Sequence, residues 1–203
     1  MKPPQAVVFD LGKVLVDFDY AIAARRILPR STCSPDSLHR LTAESSLFRD
    51  YETGLVTTNQ FFAAVKTATG FQGDLAEFGA CFGDIFTEIP AMIRLHDETA
   101  ARGFPTYIFS NTNELAAQHI RQSFPFYRRF TDHVLSYEHR AMKPDPRLYE
   151  VLERLAGCCG ADLLYVDDRP ENVAAAGTRG WQVILHETPE TTRAQFMQAG
   201  VVD

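Results

Sequence analysis

Three carboxylates, a lysine and a Ser-Asn pair stand out because nearly all of them follow a short apolar run. Asp10 ends VVFD, Ser110 and Asn111 follow TYIF, and Asp167 with Asp168 follow LLYV, while Lys143 lies in MKPDP ahead of a helical pattern. Together these residues have the makings of a phosphoryl-transfer site. A carboxylate that attacks a phosphorus dianion meets charge repulsion. That repulsion is relieved by a divalent cation on oxygen ligands, by a lysine, and by amides and hydroxyls aimed at the phosphate oxygens. All of these parts are present, with Asp10 as the candidate nucleophile that would form an aspartyl phosphate for water to cleave. Two adjacent acids ending an apolar strand repel each other unless a cation joins them, which makes Asp167 and Asp168 candidate metal ligands.

Such residues converge only if the elements before them lie side by side. Runs rich in β-branched or aromatic residues at 6–9, 106–109, 163–166 and 181–185 read as buried strands, with HVLS at 133–136 as a weaker fifth. Helical patterns fall between them at 91–102, 113–122, 145–155 and 172–179; the first follows Pro90 and stops at Gly103, and the last stops at Gly180. This alternation predicts an α/β fold with a doubly wound, Rossmann-like parallel sheet. Open sheets of that kind bind ligands at the carboxyl ends of their strands, where the residues above would sit.

One interval is too long for a crossover. About 74 positions separate Val16 from Pro90, where a simple connection needs about a dozen. Helical patterns at 21–28, 37–41, 59–68 (after Thr57 and Thr58) and 75–86 predict an inserted helical cap. We therefore expect an α/β core from residues 1–16 and 90–203 and a cap from 17–89. Phe61, Phe62, Phe78, Phe82 and Phe86 recur at helical spacing and read as cap core, with one or two free to line the cleft.

The chain has 203 residues, 45% of them apolar, enough for a core without staples. Its net charge is −6 and its basic residues are dispersed apart from short pairs such as Arg25/Arg26 and Arg128/Arg129, which disfavours a nucleic-acid partner. Anionic small molecules remain compatible, since a few cations and amides in one cleft dominate the local field. The start of the chain lacks the pattern of a secretory signal and no stretch has the length of a membrane span, so a cytoplasmic location and no membrane partner are expected. Cys33, Cys81, Cys158 and Cys159 show no CxxC spacing and read as reduced thiols, and the six histidines have no metal-ligand spacing. Nothing separates a monomer from a homodimer.

At this point the sequence resembles the haloacid dehalogenase superfamily, made up mostly of phosphatases. VVFDLGKVLVDFD resembles its first motif, YIFSNTN its second, KPDPRLY its third and LLYVDDRPENVAAAGTRGW its fourth, in the family's order. The resemblance implies Asp10 as nucleophile. It implies Mg²⁺ on Asp10, the backbone carbonyl of Gly12 and Asp168, with Asp167 binding directly or through water. Leu11, Gly12, the Ser110 hydroxyl, the Asn111 amide and Lys143 would hold the substrate, with Lys143 bridging the phosphate and Asp10. It also implies a cap that closes over a small phosphorylated metabolite. DLG followed by VDFD is similar to a subgroup that includes bacterial α-D-glucose-1-phosphatases, which points to a sugar phosphate.

One position departs from the family pattern. Family phosphatases usually carry a second aspartate two residues after the nucleophile, to protonate the leaving alcohol and then activate water; here that residue is Gly12. Either another acid serves, with Asp17 or Asp19 nearby, or the substrate leaves easily as a sugar 1-phosphate or acyl phosphate does, or turnover has been lost and the protein only binds phosphometabolites. A metal-independent 2-haloacid dehalogenase, whose nucleophile also lacks that partner, is a further alternative. Lys13 stands where related sequences more often have Gly or Asn, and either adds a cation near the phosphate or points to solvent.

Overall fold

The chain enters through β1 (Ala6–Phe9), turns back into β2 (Val16–Phe18), then runs through helices α1 (Tyr20–Ile27), α2 (Leu47–Glu52), α3 (Thr58–Thr69) and α4 (Leu75–Gly83) to β3 (Phe86–Glu88). From there helices and strands alternate: α5 (Pro90–Ala101), β4 (Thr106–Ser110), α6 (Glu114–Ser123), β5 (Asp132–Leu135), α7 (Ser136–His139), α8 (Pro146–Ala156), β6 (Leu163–Asp167), α9 (Pro170–Thr178), β7 (Gln182–Leu185) and α10 (Pro189–Gln198). The structure, a computed structural model, describes residues 3–34 and 45–203, and the helix expected at 37–41 falls outside the described residues.

Five strands form one parallel sheet in the order β5-β4-β1-β6-β7. The chain builds outward from β1 to β5, then crosses to the other side of β1 for β6 and β7. The order reverses at β1, and the crevice at the carboxyl ends of β1, β4 and β6 is the natural ligand position of such a sheet. These three strands are buried along their whole length, as parallel strands covered on both faces must be. Their side chains alternate between two cores: Val7, Phe9, Ile108 and Val166 join one, and Ala6, Val8, Phe109 and Tyr165 the other. Proline opens α5, α8, α9 and α10, where its fixed φ and missing N–H cost nothing. For α9 this moves the start two residues ahead of the expected position, to Pro170.

The inserted segment differs from expectation at its exit. The helix expected at 75–86 stops at Gly83, and Phe86 instead lies in β3, which pairs antiparallel with β2 (Val16 opposite Glu88, Phe18 opposite Phe86). Three-residue strands are too short for their alternation to be read from sequence. Helices α2, α7 and α10 lie outside the helical patterns of the sequence. The insert has its own core, in which Phe61, Phe78 and Phe82 are buried and Tyr51 stacks on Phe61 at 4.2 Å. The four cysteines are free thiols. No helix among the described residues is long and apolar enough to cross a membrane.

The turn after α2 is pressed against the sheet domain. The Ser136 hydroxyl lies 2.6 Å from the Glu52 carbonyl, and the Leu115 N–H donates to the Tyr51 hydroxyl at 3.2 Å. Gly54 has φ +72°, and a Cβ there would fall 2.0 Å from the Tyr137 carbonyl oxygen. Both features require glycine. Gly54→Ala should therefore lower stability by about 2–3 kcal/mol, from the left-handed backbone and the clash together. Urea unfolding checks this, and an unchanged midpoint would show that the turn can lift off α7 freely.

Candidate active site

Three strand tips meet at one buried ammonium. Asp10 follows β1, Ser110 ends β4, Asp167 ends β6, and Lys143 arrives from the loop between α7 and α8. The loop is held by Asn111, whose side-chain oxygen accepts from the Lys143 N–H (2.7 Å) while its side-chain nitrogen donates to the Lys143 carbonyl (2.9 Å). The Lys143 Nζ has four acceptors: Asp10 Oδ1 at 2.9 Å, Asp167 Oδ2 at 2.7 Å, the Phe109 carbonyl at 2.7 Å and the Tyr165 hydroxyl at 3.0 Å. Burial alone would lower the Lys143 pKa, but the facing Asp10 and Asp167 outweigh it and hold the amine protonated.

The carboxylates have different surroundings. Asp10 Oδ1 also accepts from the Leu11 N–H at 2.7 Å, whereas Oδ2 has no partner among the described residues. Burial pushes the Asp10 carboxyl up to about 7, with Lys143 opposing and the Asp167 charge adding to the shift. Asp167 is saturated by Lys143, the Tyr165 hydroxyl, the Arg169 N–H (2.7 Å) and Asn172 Nδ2 (3.1 Å). Burial would raise its pKa, but Lys143 and these donors bring it below the usual carboxylate range. Asp168 is half-buried, and burial followed by the Asp167 charge raises its pKa.

These residues fit a divalent cation. Asp10, Asp167 and Asp168 each offer an oxygen, all within 4.8 Å of one another. Three carboxylates around one ammonium leave two negative charges in excess, and a hard cation that favours carboxylate oxygens and water balances them. With Asp167 already saturated, Asp10 and Asp168 are the available ligands, and Asp167 suits an indirect role.

A small cleft opens beside this cluster, lined by Leu11, Gly12, Ser110 and Asn111 and, from the inserted segment, by Phe18, Tyr20, Glu52 and Phe86. The Asn111 side chain is occupied by Lys143, so only its backbone amide is left for a ligand. Gly12 has an ordinary backbone, but a Cβ there would lie 2.9 Å from the Phe18 ring, which fills the space of any side chain at that position. Neither expected substitute acid is available. Asp17 pairs with Lys13, whose hydrogen bond heads the causes holding its pKa low, and Asp19 caps α1 by accepting from the Ala21 N–H. Lys13 is thereby turned to Asp17 and lies over the Phe18 ring at 4.6 Å. Its φ of +59° is the conformation that Gly or Asn adopts most easily.

Sequence reasoning missed three contributors. Tyr165 stands two residues before Asp167 on the same face of β6, and strand periodicity could have revealed it. Phe18 lies in an unrecognised strand. Glu52 ends a helix of six residues that also carries Asp50; burial pushes its carboxyl up to about 7, and no signal in the sequence marks it.

Known proteins share this architecture. D-Ribitol-5-phosphate phosphatase of Bacteroides thetaiotaomicron is 20% identical over 196 residues, covering 94% of this chain and 95% of that protein. A solved HAD family enzyme from the same organism superposes with a TM-score of 0.81 at 21% identity, covering 96% of this chain and 99% of the other. Its complex with magnesium and inorganic phosphate superposes with a TM-score of 0.79 at 21% identity, over 91% and 94% of the two chains. The pattern of the haloacid dehalogenase-like hydrolases matches residues 4–178, so the chain belongs to that family.

Proposed function

We propose that this chain is a Mg²⁺-dependent phosphatase of a small phosphorylated metabolite, a sugar or polyol phosphate, acting through an aspartyl phosphate on Asp10. The observation that carries this reading is the Lys143 ammonium held between Asp10 and Asp167, with Asp168 within ligand distance and the Ser110-Asn111 loop alongside. The relative named a D-ribitol-5-phosphate phosphatase supports the substrate class. So does the mixed lining of the cleft, in which apolar and aromatic faces alternate with a few polar groups.

The division of work follows from the surroundings of each residue. Asp10 attacks phosphorus with the oxygen that Lys143 and Leu11 leave free. Lys143 keeps Asp10 oriented and offsets the charge of the approaching phosphate. The Ser110 hydroxyl and the Asn111 N–H donate to phosphate oxygens. Asp10, Asp168 and the Gly12 carbonyl would hold Mg²⁺, which supplies charge neutralisation on the phosphoryl oxygens. Asp167 fixes Lys143. A dehalogenase attacking a neutral carbon–halogen centre has no use for two uncompensated carboxylates.

Hydrolysis of p-nitrophenyl phosphate and of at least one sugar or polyol phosphate should require Mg²⁺, stop with chelator, and fall at least 10³-fold in Asp10→Asn. Activity surviving both treatments sinks the reading. Chloride release from 2-chloropropionate without metal would replace it with dehalogenation, and tight phosphate-ester binding without an aspartyl phosphate would replace it with a binding role.

Stability should report the same charges. The folded Asp10 carboxyl, at about 7, lies above its unfolded value near 3.9, so its stabilising contribution is complete below pH 4 and is lost as pH rises through 7. In chelator at pH 8, Asp10→Asn should melt a few degrees above wild type, on the order of 1 kcal/mol, with the gap closing toward pH 5. Mg²⁺ should raise the melting temperature of wild type more than that of the variant. Melting curves that keep the same spacing at every pH count against the charge cluster.

A further inference from the structure

The family's second acid is missing, and the structure gives a steric reason. A side chain at position 12 would meet the Phe18 ring at 2.9 Å, so an aspartate cannot occupy Gly12 unless Phe18 moves. Asp17 and Asp19 are committed to Lys13 and to the start of α1. Among the described residues that line the cleft, one carboxyl remains, that of Glu52.

Three observations set Glu52 apart from an ordinary surface acid. Its backbone is tied to the phosphate-side loop: the Ser136 hydroxyl reaches the Glu52 carbonyl at 2.6 Å, accepts from the Thr112 N–H at 2.9 Å and lies 3.0 Å from the Thr112 carbonyl. Thr112 is two residues beyond Ser110. Gly54, whose φ and contact with Tyr137 admit no other residue, ends the same turn, so Glu52 is held at a fixed depth over the cleft. Finally, its carboxyl has no cation and no hydrogen-bond partner among the described residues and shares the cleft with Phe18, Tyr20 and Phe86. Glu52 is half-buried, and a carboxyl set in a cleft without a partner is a group placed to exchange a proton.

We propose that Glu52, from the inserted cap, is the general acid and base that stands in for the missing aspartate; this rests on the phosphatase reading. As the Asp10 Oδ–P bond forms and the P–OR bond breaks, the protonated Glu52 gives its proton to the departing oxygen, leaving ROH, an aspartyl phosphate and a Glu52 carboxylate. That carboxylate then takes a proton from the water attacking phosphorus. The P–Oδ bond breaks, phosphate leaves, and Asp10 and the protonated Glu52 are restored. Burial places the Glu52 carboxyl near 7, so both of its forms are accessible at neutral pH.

The test compares two esters in the Mg²⁺-loaded protein. One is p-nitrophenyl phosphate, whose leaving group needs no proton. The other is the best alkyl ester from a panel of ribitol 5-phosphate, glucose 6-phosphate and glycerol 3-phosphate. In Glu52→Gln, kcat/KM should fall about 10²- to 10⁴-fold for the alkyl ester and less than threefold for the aryl ester. The aryl ester should also give a burst of one nitrophenol per protein and accumulate phosphorylated Asp10, because water activation is lost. Retained aryl kcat/KM shows that the variant is folded. If the variant does not fold, the wild type decides alone: kcat/KM nearly independent of leaving-group pKa across a series of esters supports the proposal, and a steep dependence overturns it. Equal alkyl kcat/KM in Glu52→Gln and wild type overturns it, as does a loss confined to KM or a wild type active on the aryl ester only. A wild type that hydrolyses neither ester sinks the phosphatase reading, and this assignment with it.

Discussion

The structure depends on a lysine ammonium kept out of water. Lys143 Nζ lies against the rings of Phe109 and Tyr165, 5.1 Å and 5.6 Å from their centroids, a setting in which an unpaired charge is strongly disfavoured. It is stable there only because Asp10 and Asp167 face it, and those carboxylates are tolerated at the buried strand ends only because it faces them. The interaction therefore ties β1, β4 and β6 to the loop before α8. Removing Lys143 would leave Asp10 and Asp167 as uncompensated buried charges, whereas removing the charge of Asp10 still leaves Lys143 paired with Asp167. Replacing all of them by apolar residues of similar volume would suit stability better. The arrangement makes sense as the cost of holding a carboxylate ready to react.

Adjacent residues play opposite parts here, and the backbone is the reason. Asp167 is the last residue of β6 and points into donors supplied by its own strand, by α9 and by Lys143, which hold it ionised. Asp168, one residue on, lies beyond the strand, half-buried and exposed to the charge of its neighbour. One is fixed and the other is left wanting a cation. The proline that opens α9 lets the chain turn directly after this pair, so Asn172 reaches back to Asp167 from the first turn.

What the sequence made legible was whatever rests on local rules. The apolar runs, the polar residue ending each run, and the Pro and Gly helix boundaries all follow from period and φ preference, so Asp10, Ser110, Asn111, Lys143, Asp167 and Asp168 could be singled out before any coordinates. The contacts that join distant segments could not. The pairing of β2 with β3 brings residues 16–18 against 86–88, and three residues are too few for an alternation to be read as a strand. The ring that a Cβ at Gly12 would meet at 2.9 Å is that of Phe18, six residues away across a tight turn. Glu52 looks like any helical glutamate until Ser136 and Tyr137 hold its turn over the cleft.

An acid carried by the inserted segment makes cap position part of the chemistry. A carboxyl on the nucleophile loop would be in place whether or not the cap was docked, because Asp10 and Gly12 lie on the same turn. Glu52 reaches the cleft only while α2 rests on α7, through the Ser136 bond and the close approach of Gly54 to Tyr137. Phe18, Tyr20 and Phe86 line the same cleft, the first and last from the β2–β3 pair. On the Glu52 assignment, a substrate that holds the cap open would lose proton transfer as well as fit.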